Sequence, residues 1–98
     1  MESLDRIKEM GERYDVSITQ LEELRARLAL LKANKTNYNT LLDYYSQDWA
    51  GDYEASNLPD FPREANHAIL SQDAIFDLVS DYQSLAIEMI EVALSYLK

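Results

Sequence analysis

Apolar residues recur at every third or fourth position over most of this chain, and that period limits what it can fold into. From Leu4 the series runs through Ile7, Met10, Tyr14, Ile18, Leu21, Leu24, Leu28 and Leu31, then Tyr38, Leu42 and Tyr45. A second series holds Ile75, Leu78, Tyr82, Leu85, Met89, Val92 and Tyr96. Steps of three and four put side chains on one face of an α-helix, whereas a half-buried strand needs steps of two. The predicted class is all-α. A long amino-terminal helix packs against a carboxy-terminal helix with short helical turns between them, as a helical hairpin or bundle completed by dimerisation.

The first helix is expected over residues 3–46. Glu2 and Arg6, Glu9 and Arg13, and Glu23 and Arg27 are spaced four apart with the acid first, the favoured order, each pair contributing about 0.2–0.5 kcal/mol when exposed. Residues 34–40, Asn-Lys-Thr-Asn-Tyr-Asn-Thr, are poor helix formers and mark a soft middle of this one helix, the place where it could kink or break. The apolar phase survives it, because Leu31, Tyr38 and Tyr45 stay seven apart.

The last helix is expected over 71–97, with Ser71 as its N-cap, Asp73 at the positive helix end and Leu70 stapled onto Ile75. No glycine or proline interrupts it. Ile87, Ile90, Leu94 and Leu97 widen its apolar face beyond one stripe, which calls for a second neighbour. At ~1.5 Å per residue a continuous first helix is roughly 65 Å long and the last about 40 Å, so the first would overhang the last. A homodimer forming a four-helix or larger bundle would cover both surpluses.

Size and charge narrow the function classes. Ninety-eight residues read as a single domain, 1–98, and a chain this small buries roughly 60–65% of its unfolded surface. It has no cysteine to staple the fold. Residues 1–35 carry seven basic and seven acidic side chains, while 36–98 carry two basic, Arg63 and Lys98, against eleven acidic, giving the net charge of -9. Such a surface repels nucleic acid and anionic lipid, so neither direct nucleic-acid binding nor membrane binding is expected. Met1 to Arg6 does not have the form of a signal peptide and no window approaches the ~18 apolar residues of a membrane span. A soluble, cytoplasmic protein is expected.

The connector, 47–70, holds Gly51, Pro59 and Pro62 as breakers. So long a structureless loop is rare in a compact domain, so helical turns are expected near Gln47 to Ala55 and Pro62 to His67. In and just before this stretch lie Tyr38, Tyr44, Tyr45, Trp49, Tyr53 and Phe61, with Asp43, Asp48, Asp52, Glu54 and Asp60 among them. Trp49, Asp52, Tyr53 and Glu54 form the candidate protein-binding surface, since Trp and Tyr are enriched in binding hot spots. The competing role for these rings is a satellite core that pins the connector, which their burial area favours. Asp73, Asp77 and Asp81 add an acidic stripe on the last helix. It suits a basic protein partner, or else complements the helix start and keeps the domain soluble.

Leu42 to Tyr45, Trp49, Asp52-Tyr53-Glu54-Ala55, Leu58-Pro59, and Leu70-Ser71 with Asp73 to Leu78 resemble, in order and spacing over 42–78, the "domain of unknown function" family four-two-nine-eight. The long preceding helix with its Arg6-Ile7 start is also similar. The resemblance implies small helical proteins of Gram-positive bacteria in a cytoplasmic setting. It carries no activity, cofactor or catalytic residues to transfer. The resemblance implies a basic patch where this chain has Asn66-His67-Ala68-Ile69 and an acid after Ala55, where it has Ser56.

Catalysis finds little footing: there is no cysteine nucleophile, no second histidine, no G-x-S-x-G turn and no phosphate-cradling glycine loop. No cofactor is expected. The leading expectation is a self-associating adaptor or regulator that acts through protein contacts. The alternatives are an acidic nucleic-acid mimic that inhibits a basic protein through Asp73, Asp77 and Asp81, and, less favoured, a metal-dependent hydrolase using Asp48, Asp52 and Glu54. His67 is expected to be an ordinary surface residue.

Overall fold

The computed structural model describes residues 1–63, 68–71 and 73–98. Most of the described residues are helical and none lies in a strand. Helix α1 spans Glu2–Gln47, α2 spans Trp49–Ser56, a 3-10 turn covers Ala68–Leu70, and α3 spans Ala74–Tyr96. This is the all-α class expected, a long first helix and a carboxy-terminal helix joined through short helical turns. The expected turn over Pro62 to His67 and the surface reading of His67 fall largely outside the described residues.

The chain divides into two units, Met1–Tyr38 and Asn39–Lys98. The first is helix throughout. Of its three expected acid-first pairs, Glu9 and Arg13 close an ion pair at 3.0 Å. The expected soft point does not interrupt α1. Within it the Asn37 amide donates to the Asn34 side chain at 3.2 Å, and the Lys35 ammonium lies 5.1 Å from the centre of the Tyr38 ring. Side chains one turn apart thus supply contacts that offset the weak intrinsic propensity of Asn and Thr.

The second unit contains the last turns of α1, then α2, the 3-10 turn and α3. Packing between elements runs from α2 to the 3-10 turn and from that turn to α3. Ile75, near the start of α3, is 3% exposed and is the buried hydrophobic residue among those described.

Two local expectations are corrected. Ser71 is not the N-cap of α3; Asp73 is, without a side-chain capping bond. Ser71 instead takes the Ala74 N–H on its carbonyl at 3.3 Å and a long 3.4 Å contact from the Asp73 N–H on its hydroxyl. Gly51 does not break the chain but lies inside α2, where an added Cβ would meet nothing within 4 Å and φ is not positive. Nothing there requires glycine, so Gly51→Ala is expected to stabilise the unit by about 0.5–1 kcal/mol through lost unfolded-state freedom. Urea denaturation followed by circular dichroism checks this.

What ends α2 is local. The Ser56 hydroxyl and the Asn57 amide both donate to the Tyr53 carbonyl, at 2.7 and 3.1 Å. The Asn57 and Leu58 N–H groups bond back to Glu54 and Ala55 at 3.2 Å. These bonds satisfy carbonyls that a helix end leaves open, and Pro59 follows.

Candidate functional site

The candidate surface forms where α1 passes into α2. Only Asp48 separates the helices, and the bond ladder continues across it. The Asp48 N–H reaches the Tyr44 carbonyl at 2.9 Å, and the Asp52 N–H reaches the Asp48 carbonyl at 3.0 Å. Helical phase therefore carries from one element to the next, and residues four apart stay on one stripe.

Tyr45, Trp49 and Tyr53 occupy that stripe. Trp49 stacks on Tyr45 with ring centres 5.4 Å apart and on Tyr53 at 5.1 Å, the planes inclined by 25° and 14°. The Trp49 indole N–H donates to the Ile69 carbonyl at 2.8 Å, across twenty residues of chain. A half-buried indole thus has two ring neighbours and its one donor engaged within the chain, which ties α2 to the 3-10 turn.

On an adjoining face the Tyr44 hydroxyl donates to an Asp52 carboxylate oxygen at 2.8 Å. The hydrogen bond to Asp52 raises the Tyr44 pKa above the ordinary value of 10.0, helped by desolvation and by the charges of Asp52 and Asp48. Tyr44, Asp52, Ala55, Phe61, Ile69 and Leu70 line an open cleft of about 300 Å³, at the lower end of the range for small-molecule sites.

Because Asp52 holds the neutral phenol, the stabilisation from this pair is complete below the ordinary tyrosine pKa and is lost as pH rises through the higher value of folded Tyr44. Asp52→Asn keeps an acceptor but removes the charge, and is expected to return Tyr44 toward its ordinary value. The difference in alkaline absorbance titration between each protein and its Tyr44→Phe counterpart isolates this one ring. An unchanged Tyr44 titration in Asp52→Asn would show that Asp52 does not control it.

Trp49 and Tyr53 are half-buried, whereas Asp52, Glu54, Asp73, Asp77 and Asp81 are exposed. Asp73 is spent as the N-cap of α3 and Asp77 lies in its first turn, where both complement the helix dipole. Among the described residues no three His, Cys, Asp or Glu side chains gather as cation ligands. The pairing of Tyr44 with Asp52 escaped the sequence reading. Its signal was an eight-residue spacing, near two helical turns, which is informative only if the helix continues through Asp48.

The family model described as "Domain of unknown function (DUF4298)" matches residues 7–92. The chain belongs to this family. The match takes in α1 from Ile7, all of α2, the connector and α3 as far as Val92, so the resemblance carried by residues 42–78 extends over nearly the whole chain. No curated protein and no solved structure matches it. Membership in the DUF4298 family brings a shared domain and no activity. Among the described residues no helix is long and apolar enough to cross a membrane.

Proposed function

We propose that this DUF4298 protein acts by binding protein chains, its own included, through helix faces, as an adaptor or regulator of the bacterial cytoplasm rather than as an enzyme. One observation carries this reading. Large apolar side chains at helical spacing stay exposed along α1 and again along α3, in a chain whose described buried core is Ile75. Exposed apolar patches this extensive mark interaction surfaces in soluble proteins. The cytoplasmic, bacterial setting rests on the family resemblance.

Affinity capture from native cytoplasm at low and high salt, with captured chains identified by mass spectrometry, tests the reading. Retention of a specific partner or of further copies of the chain at high salt is expected, because apolar contacts are not screened. Loss of every captured chain at both salt levels would overturn it.

The acidic-mimic reading stands second, supported by the exposure of Asp77 and Asp81 and by the net charge of -9. Asp77→Lys with Asp81→Lys is then expected to abolish capture of a basic, DNA-competed partner. Undiminished capture would remove that reading.

A further inference from the structure

The neutral charge balance of the first helix conceals a sorting of charge about its seam. With Ile7, Tyr14, Leu21 and Leu28 at heptad position a, position d holds Met10, Ser17, Leu24 and Leu31. A sustained seven-residue repeat is the signature of supercoiled helix pairing. The rim positions e and g then carry Arg6, Arg13, Arg25, Arg27 and Lys32 and no acid. Every acid of this stretch, from Glu2 to Glu23, falls at the outer positions b, c and f.

The seam of α3 is rimmed with the opposite sign. With Ile75, Tyr82 and Met89 at a, and Leu78, Leu85 and Val92 at d, the g positions include Asp81 and Glu88 and the e positions are Val79, Ala86 and Ala93. No basic residue lies between Ala74 and Tyr96. Side chains of both seams reach solvent: Leu21 is 48% and Leu24 57% exposed along the first, and Leu85 48% and Val92 54% along the second, beyond the buried Ile75.

Pairing α1 with its own copy sets Arg against Arg and Lys across the rim, and an antiparallel pair of α3 copies sets Asp against Glu, while a parallel pair leaves those acids facing Val and Ala with no counter-charge. Pairing the α1 seam with an α3 seam sets basic rim on acidic rim and covers both apolar stripes. Arg6 and Arg13, and likewise Arg25 and Lys32, are seven apart, as are Asp81 and Glu88, so charges on the two rims recur with one period. We propose that two copies associate reciprocally, the α1 seam of each covering the α3 seam of the other. Such an exchange is self-complementary and closes on a two-fold axis. It rests on the self-association reading above and specifies which faces meet.

Charge exchange tests the pairing. One variant carries Arg13→Glu and Arg27→Glu, the other Asp81→Lys and Glu88→Lys, all at exposed positions. By sedimentation velocity the unaltered protein is expected to be a dimer. Each variant alone is expected to self-associate roughly a hundredfold more weakly, because like charges then face each other across the rim. An equimolar mixture of the two is expected to recover the dimer, which also shows that both variants are folded. Variants that dimerise as before, loss in only one of them, or a mixture that stays monomeric would overturn the pairing while leaving self-association standing. An unaltered protein still monomeric at about 100 μM would overturn both, since any Kd would then lie above that concentration.

Discussion

Trp49→Ala is expected to destabilise the 39–98 unit by roughly 3–4 kcal/mol, toward the lower end for truncating a large core aromatic because the ring is only half-buried. Three losses combine. The stacks on Tyr45 and Tyr53 disappear, each worth about 0.5–1.5 kcal/mol beyond area burial. The Ile69 carbonyl loses its indole donor, a net loss of about 1 kcal/mol. The α2 helix also loses its anchor to the 3-10 turn. A domain of this size has total stability of only about 3–9 kcal/mol, so much of the unit should melt under mild denaturant. Urea denaturation followed by far-ultraviolet circular dichroism is the measurement, because the substitution removes the chain's single tryptophan fluorophore. A loss below about 1 kcal/mol would overturn the structural role and free Trp49 to serve as a partner contact. Trp49→Phe separates the causes, since it keeps a ring in the stack and deletes only the donor.

The second large effect is expected at Ile75. It is 3% exposed near the start of α3, and α3 meets the 3-10 turn of the connector. Ile75→Ala removes three carbons from that contact, with an expected loss of about 2–4 kcal/mol. Ile75→Asp buries a carboxylate among apolar groups and is expected to cost ~4 kcal/mol or more, enough to unfold the unit. Leu85→Ala, at a position 48% exposed in the single chain, provides the contrast. At protein concentrations too low for association it should lose less than about 1 kcal/mol. Thermal melts of the three variants at low micromolar concentration give the order, and an Ile75→Ala loss no larger than that of Leu85→Ala would show that the start of α3 does not anchor the unit.

Both predictions concern residues legible in the sequence, though unequally. Ile75 stands first in an uninterrupted apolar series, which marks it as a core candidate but does not single it out from the more exposed members of the same period. Trp49 stands out as an aromatic among acids, but periodicity alone leaves open whether such a ring faces a partner or its own chain. In the structure the Ile69 carbonyl and the Tyr45 and Tyr53 rings engage it within its own chain. Ser71 shows the opposite failure. Its residue type suits an N-cap, yet α3 begins at Ala74 behind Asp73. Gly51 misled for a related reason: glycine is a weak helix former, and a helix anchored through Trp49 tolerates one.

The helices themselves were written in the sequence. Hydrogen bonding within a helix links residues four apart, and its amphipathic period repeats over seven, so α1 and α3 are properties of short windows that a single sequence displays. The same holds for the sorting of charge about their seams. The tertiary structure alone decided that Trp49 closes onto Ile69, that Tyr44 holds Asp52 through the junction at Asp48, and that Ile75 is buried while its seam is exposed from Leu85 on. The Trp49 bond joins residues twenty apart, and the Tyr44 bond needs the helix to continue through Asp48. A bond across twenty residues forms only when the intervening chain adopts one particular path, and no local window of sequence carries that information.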